Sequence, residues 1–103
     1  MLLSDYCAMP HLIQAFRQAE RNVQTTTGKV KRKHAFDMRG LVSDCLSQYL
    51  QETLCRANPG KAMPFVSPLT VMNFCKEMEQ YPDKHADIDF CLVILKQVIE
   101  REK

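Results

Sequence analysis

The chain has 103 residues, of which 46% are hydrophobic and 25% charged, with 3 glycines and a formal net charge of +2. This is one domain's worth of ordinary globular composition. It excludes a collagen-like repeat, a low-complexity tract, a solenoid of several repeats, and a histone-like or strongly acidic molecule.

Helical periodicity dominates, and no stretch alternates with the period of two that a half-buried strand requires. The expected fold is therefore a compact all-α domain of four helices with no sheet. The first helix is expected over residues 10–24. Pro10 suits its first position, where the missing N–H costs nothing, and Leu12, Ala15, Phe16, Ala19 and Val23 fall on one line. Thr25-Thr26-Thr27-Gly28 breaks that pattern, so residues 25–34 are expected to form a basic loop.

The second helix is expected over residues 35–56. Met38, Leu41, Val42, Cys45, Leu46, Tyr49, Leu50 and Leu54 recur at spacings suited to one apolar stripe, with Asp37, Asp44, Ser47, Gln48, Gln51 and Glu52 on the wet side. Gly40 weakens this helix by about 1 kcal/mol relative to Ala; a close backbone approach there is one expectation and chance placement the other. A connector over residues 57–66 follows. Asn58-Pro59-Gly60 signals a turn, while Met63, Phe65 and Val66 are expected to pack down.

The third helix, over 67–80, begins with Ser67 as N-cap and Pro68 at the first position, with Val66 and Val71 placed for a hydrophobic staple. Pro82 ends it. The fourth, over 84–101, starts from Asp83 or Asp87. Nine of the twelve residues from Ile88 to Ile99 are apolar. Ile88, Cys91, Leu92, Leu95, Val98 and Ile99 share one face, whereas Phe90, Val93 and Ile94 share another. A helix apolar all round is buried all round. Either this helix is the central post of the bundle, or its second face meets another subunit; on the second reading Phe90, Val93 and Ile94 are the expected protein interface, toward a partner or a second copy in a homo-oligomer.

The longest apolar run, residues 90–95, is six residues, against ~20 for a membrane-spanning helix. The first residues carry Asp5 where a signal peptide carries a base, and they lack its apolar region. No membrane contact is expected, and the expected location is cytoplasmic, or nuclear in a eukaryotic host. Cys7, Cys45, Cys55, Cys75 and Cys91 are odd in number and widely spaced, unlike a disulfide framework. Cys45, Cys75 and Cys91 are expected to be small buried hydrophobes, and Cys55, off the main stripe, the most exposed thiol.

Four of the fourteen basic residues fall between Lys29 and Lys33. Lys29, Lys31, Arg32 and Lys33, with Arg39, are the candidate contacts for nucleic-acid phosphates or an acidic partner; the bland alternative is a solvated loop. A helix-turn-helix does not fit. The third helix offers one base among Leu69, Thr70, Asn73, Lys76 and Glu77, and the connector before it is far longer than a 3–4-residue turn.

Metal ligation has only Cys7 with His11, and Cys75, His85 and Cys91, to draw on, without Cys-x-x-Cys or His-x-x-x-His spacing. Gly28-Lys29 lacks the rest of a phosphate-binding loop, and no His is spaced to activate a Cys. The sequence points to no catalytic residue, metal or cofactor. It leads to a small non-catalytic adaptor or regulator acting through protein contact, with a nucleic-acid-associated regulator as the alternative.

Overall fold

The computed structural model describes residues 9–62 and 64–103. Among the described residues four α-helices follow one another: α1 (Met9–Thr25), α2 (Lys29–Ala57), α3 (Pro68–Met78) and α4 (Ile88–Arg101), with a 3-10 turn at Pro82–Lys84. No strand occurs among the described residues. The protein is an all-α four-helix domain in which α1 pairs with α2 and α3 with α4.

The largest departure from expectation is the basic segment. Residues 29–34 are not a loop but the first turns of α2. The link between α1 and α2 is only Thr26, Thr27 and Gly28. Gly28 reverses the chain at φ +92°, a conformation costly for any residue with a Cβ. Lys and Arg are good helix formers, so once Gly28 has turned the chain nothing delays the helix to residue 35.

At 29 residues, α2 is about 44 Å long, and it sets the long axis of a molecule measuring 47 × 35 × 28 Å. The core draws Met9, Leu12, Ile13 and Phe16 from α1, and Leu46, Leu50 and Leu54 from α2. These pack with Val66 and with Val71, Phe74, Cys75 and Met78 of α3, and with Cys91, Leu92, Ile94, Leu95 and Val98 of α4. Every core member from α1 precedes Arg17, and every one from α2 follows Cys45. The molecule thus divides into a well-filled body and an arm, residues 17–44, whose buried side chains are only Ala19, Val23, Ala35 and Ser43.

The expected stripe on α2 is only partly covered. Leu46, Leu50 and Leu54 are buried, with Ser43 in line, but Met38, Leu41 and Cys45 are exposed. At 100° per residue the eight stripe residues spread over about 220° of the helix, and one layer of neighbours covers less than that. Two residues expected on the wet side do other work. Ser47 Oγ donates to the Val66 carbonyl at 2.6 Å, and the Val66 N–H donates to Gln51 Oε1 at 3.0 Å. This clamp holds the end of the connector to α2 and buries Val66. Phe65 beside it is exposed rather than packed down, because successive residues of an extended segment point opposite ways. Met63 lies outside the described residues.

The caps follow the sequence closely. Ser67 Oγ accepts from the Thr70 N–H at 3.1 Å, with Pro68 in the first helical position. Val66 and Val71, the expected staple pair, are both buried. Asp87, not Asp83, caps α4, accepting from the Phe90 N–H at 3.1 Å. At its other end, Glu102 accepts from Thr70 Oγ1 at 2.5 Å and Asn73 Nδ2 at 3.0 Å, and Arg101 pairs with Glu77 at 3.0 Å. These contacts lock α4 against α3.

Candidate functional site

The apolar face expected to bind a partner from α4 is largely used within the chain. Ile94 is buried, being 5% exposed, and belongs to the core. Phe90 is half-buried and meets the Tyr81 ring edge to face, with centroids 5.0 Å apart. The turn through Tyr81 and Pro82–Lys84 packs over the start of α4, which the sequence period alone did not foresee. Only Val93 remains open, at 53% exposure. The trio of Phe90, Val93 and Ile94 therefore forms no continuous exposed patch.

The exposed hydrocarbon lies elsewhere. Val30, Phe36, Met38 and Leu41 of α2 and Leu69 and Met72 of α3 are large apolar side chains open to solvent. Five of them, all but Leu41, border two grooves on opposite flanks of the arm. One lies between α1 and α2, over Ala15, Ala19, Ala35 and Val42, with Val30 and Met38 at its walls. The other, of about 340 Å³, lies between α2 and α3: Phe36 forms one wall, Leu69 and Met72 the other, and Phe16, Gly40 and Ser43 the floor. A Cβ added at Gly40 would meet nothing within 4 Å. Gly40 therefore admits no close backbone approach within this chain; it leaves the groove open.

The basic residues border this region. Lys29, Lys31, Arg32 and Lys33 are exposed and Arg39 is half-buried. Among the described residues none of the five has an ion-pair partner, unlike Arg17, which meets both Glu20 and Glu79. Arg32 and Arg39 lie over the Phe36 ring, 5.9 and 4.9 Å from its centroid, in cation–π contacts. Lys29, Lys33, Phe36 and Gly40 follow at i, i+4, i+7 and i+11 and so share one side of α2, the side of the α2/α3 groove. Lys31 faces the other groove. The first turn of α2 contains no acid, and Gly28 supplies no side-chain cap. The positive end of the helix dipole thus lies beside Lys29 and Lys31, an arrangement that is unfavourable for the isolated chain.

The thiols of the body are chemically quiet. Burial pushes the Cys75 thiol up to about 12, reinforced by the Glu20 charge and partly offset by Arg17. Burial, helped by Asp87, raises Cys91 to about 11. Both are buried, as expected from the sequence; Cys45, expected buried, is exposed, and Cys55 is half-buried. His85 caps the end of α3 through Nε2 and the Met78 carbonyl, 2.7 Å apart. No group of three or more His, Cys, Asp or Glu residues could hold a metal ion among the described residues. Cys7, one half of the Cys7–His11 pair, lies outside them. No helix among the described residues is long and apolar enough to cross a membrane.

Neither the protein-family models, the curated proteins nor the solved structures contain a match to this chain.

The sequence marked the basic residues but not their setting. Leu69 and Met72 were only two of several apolar residues of the third helix, and Phe36 lay at the edge of the expected loop. The uninterrupted spacing from Lys29 through Lys33 and Phe36 to Gly40 was the available signal.

Proposed function

We propose that this chain is a non-catalytic docking module that binds an acidic partner protein through its arm. The observation that carries the proposal is the position of the exposed hydrocarbon: among the described residues, six of the eight large exposed apolar side chains border the arm, interleaved with five cations that have no ion-pair partner there. Aromatic, Met and Arg side chains are the types enriched where protein interfaces bind tightly. Between residues 9 and 44 the chain carries seven basic and three acidic residues. Two copies meeting arm to arm would oppose like charges, which favours a different, negatively charged protein over a homo-oligomer. The unpaired cations also suit nucleic-acid phosphates, but a phosphate-tracking surface has little use for Val30, Leu41, Leu69 and Met72 beside them. The module operates in a reducing compartment, where Cys45 remains a thiol.

A photo-crosslinking side chain placed singly at Leu41, Leu69 or Val93 tests this in the native cell, since the three are similarly exposed at 59%, 55% and 53%. Protease-sensitive adducts at one or both arm-side positions, and none at Val93, are expected. Adducts confined to Val93 would return the interface to α4, and nuclease-sensitive adducts at the arm would make the module a nucleic-acid binder.

A further inference from the structure

We infer that the α2/α3 groove is the recognition site itself and that its ligand is an amphipathic helix of the partner, acidic at one end and apolar at the other. This rests on the docking role proposed above and specifies its ligand. The groove is polarised along α2. Its apolar section, walled by Phe36, Leu69 and Met72, lies over Gly40. About 10 Å away, two helical turns toward the tip of the arm, the same side of α2 presents Lys33 and then Lys29. Arg32 and Arg39, held over Phe36, join the two sections. The two acids beside the apolar section leave this polarity intact: Glu20 is paired with Arg17, and Asp44 lies one turn beyond Gly40, away from the tip.

A helix laid along this path seats apolar side chains at i, i+3 or i+4, and i+7 over Gly40, the spacing by which amphipathic helices fill grooves. Its acidic turn then meets Lys29 and Lys33. About 340 Å³ is near the lower end of ligand-site volumes, which suits the anchoring side chains of a helix whose remainder stays in solvent. The other groove, between α1 and α2, has Lys31 alone among the five cations and lacks this pairing of an aromatic wall with a basic end. Gly40 is thereby assigned a function in addition to its cost in helix propensity: any side chain there would project into the path of the bound helix.

The probe is a random library of helix-forming peptides, selected on the full chain and read by sequencing. The expected winners combine an apolar i, i+3/i+4, i+7 pattern with Asp or Glu clustered at one end. Gly40→Leu fills the groove while improving helix propensity, so circular dichroism and melting should show an intact fold. Binding of the winners should fall at least tenfold in this variant, and similarly in Lys29→Glu/Lys33→Glu, whereas Val93→Glu, on the exposed side of α4 away from the arm, leaves it unchanged. Winners that ignore Gly40→Leu but fail on Leu41→Glu would overturn the groove assignment while leaving the docking role standing. Basic or charge-indifferent winners would overturn the acidic ligand. An empty selection would overturn the inference outright; crosslinks from Leu41 or Leu69 to a partner would still preserve the docking role, and their absence as well would remove both.

Discussion

The body and the arm are made from the same two long helices, yet they use their hydrocarbon in opposite ways. In the body, Leu46, Leu50 and Leu54 of α2 turn inward against α3 and α4 and are nearly inaccessible. In the arm, the same helix buries Ala35 and Ser43 and leaves Phe36, Met38 and Leu41 outside. The reason is geometric. At about 44 Å, α2 outruns the eleven-residue α3 and the fourteen-residue α4, so among the described residues its first half is flanked by α1 and by no more than the first turns of α3. Two helices alone bury one seam, and small residues at that seam let them approach closely. Among the described residues, nothing covers the remaining side chains. A surplus of exposed hydrocarbon is therefore a consequence of unequal helix lengths, and it falls where the unpaired cations also lie.

The sharpest way to break this contrast is through the packing. Phe74→Ala should destabilise the protein by about 3–5 kcal/mol, since Phe74 is fully buried among core side chains. Val23→Ala in the arm should cost no more than about 1.5 kcal/mol, because a thin two-helix seam loses little packing. Urea titration of both variants gives the comparison, and equal losses would show that arm and body are one cooperative core. Native-state hydrogen exchange supplies the complementary measure. Amides of residues 30–40 should exchange well before those of residues 46–54 and 91–98.

A second prediction concerns alkali. Cys75 and Cys91 ionise near 12 and 11 in the folded protein against 9 for a free thiol, so above pH 9 the unfolded chain releases these protons first. Stability present in full below pH 9 should therefore decline as pH rises through the folded values, at up to about 1.4 kcal/mol per pH unit for each thiol. Denaturation measured from pH 8 to 10.5 should show the fall, and the Cys75→Ala variant, whatever its absolute stability, should show a shallower one. In a Cys7→Ser background a thiol reagent at neutral pH should label Cys45 first and Cys55 more slowly. Cys75 and Cys91 should react only on unfolding.

Smaller effects sharpen the contrast from the local side. Ser67→Ala removes the cap of α3 and should cost about 1 kcal/mol. Gly40→Ala should stabilise by a similar amount, because its Cβ enters open space within a helix. Lys31→Glu, in the first turn of α2, should add about 0.3–1 kcal/mol by reversing an unfavourable charge at the helix dipole. Each is read as a shift in melting temperature. A gain from replacing Lys31 is what a residue retained for binding at the expense of stability would show.

Much of the fold was legible locally. Ser67-Pro68 announced its helix start, and Asp87 was one of two candidates for the next, because a cap is a contact between residues three apart. The apolar runs of α3 and α4 announced the body because burial there follows one period. The start of α2 was misjudged because a three-residue reversal at Gly28 looks, in sequence, like the beginning of a longer loop. Phe90, Val93 and Ile94 were expected to share one exposed apolar face because periodicity counts apolar residues without showing which neighbour covers each one. Tyr81 folding back on Phe90, and the core enclosing Ile94, are contacts between elements that no local pattern encodes.

The sequence by itself determined the four helices, their principal caps and the basic segment, since these depend on backbone hydrogen bonding and residue preferences within a few positions. Tertiary structure alone decided which apolar side chains stay wet. That depends on how far each neighbouring helix extends and where it ends, so that Leu54 is sealed inside while Leu41, on the same helix, remains open to solvent.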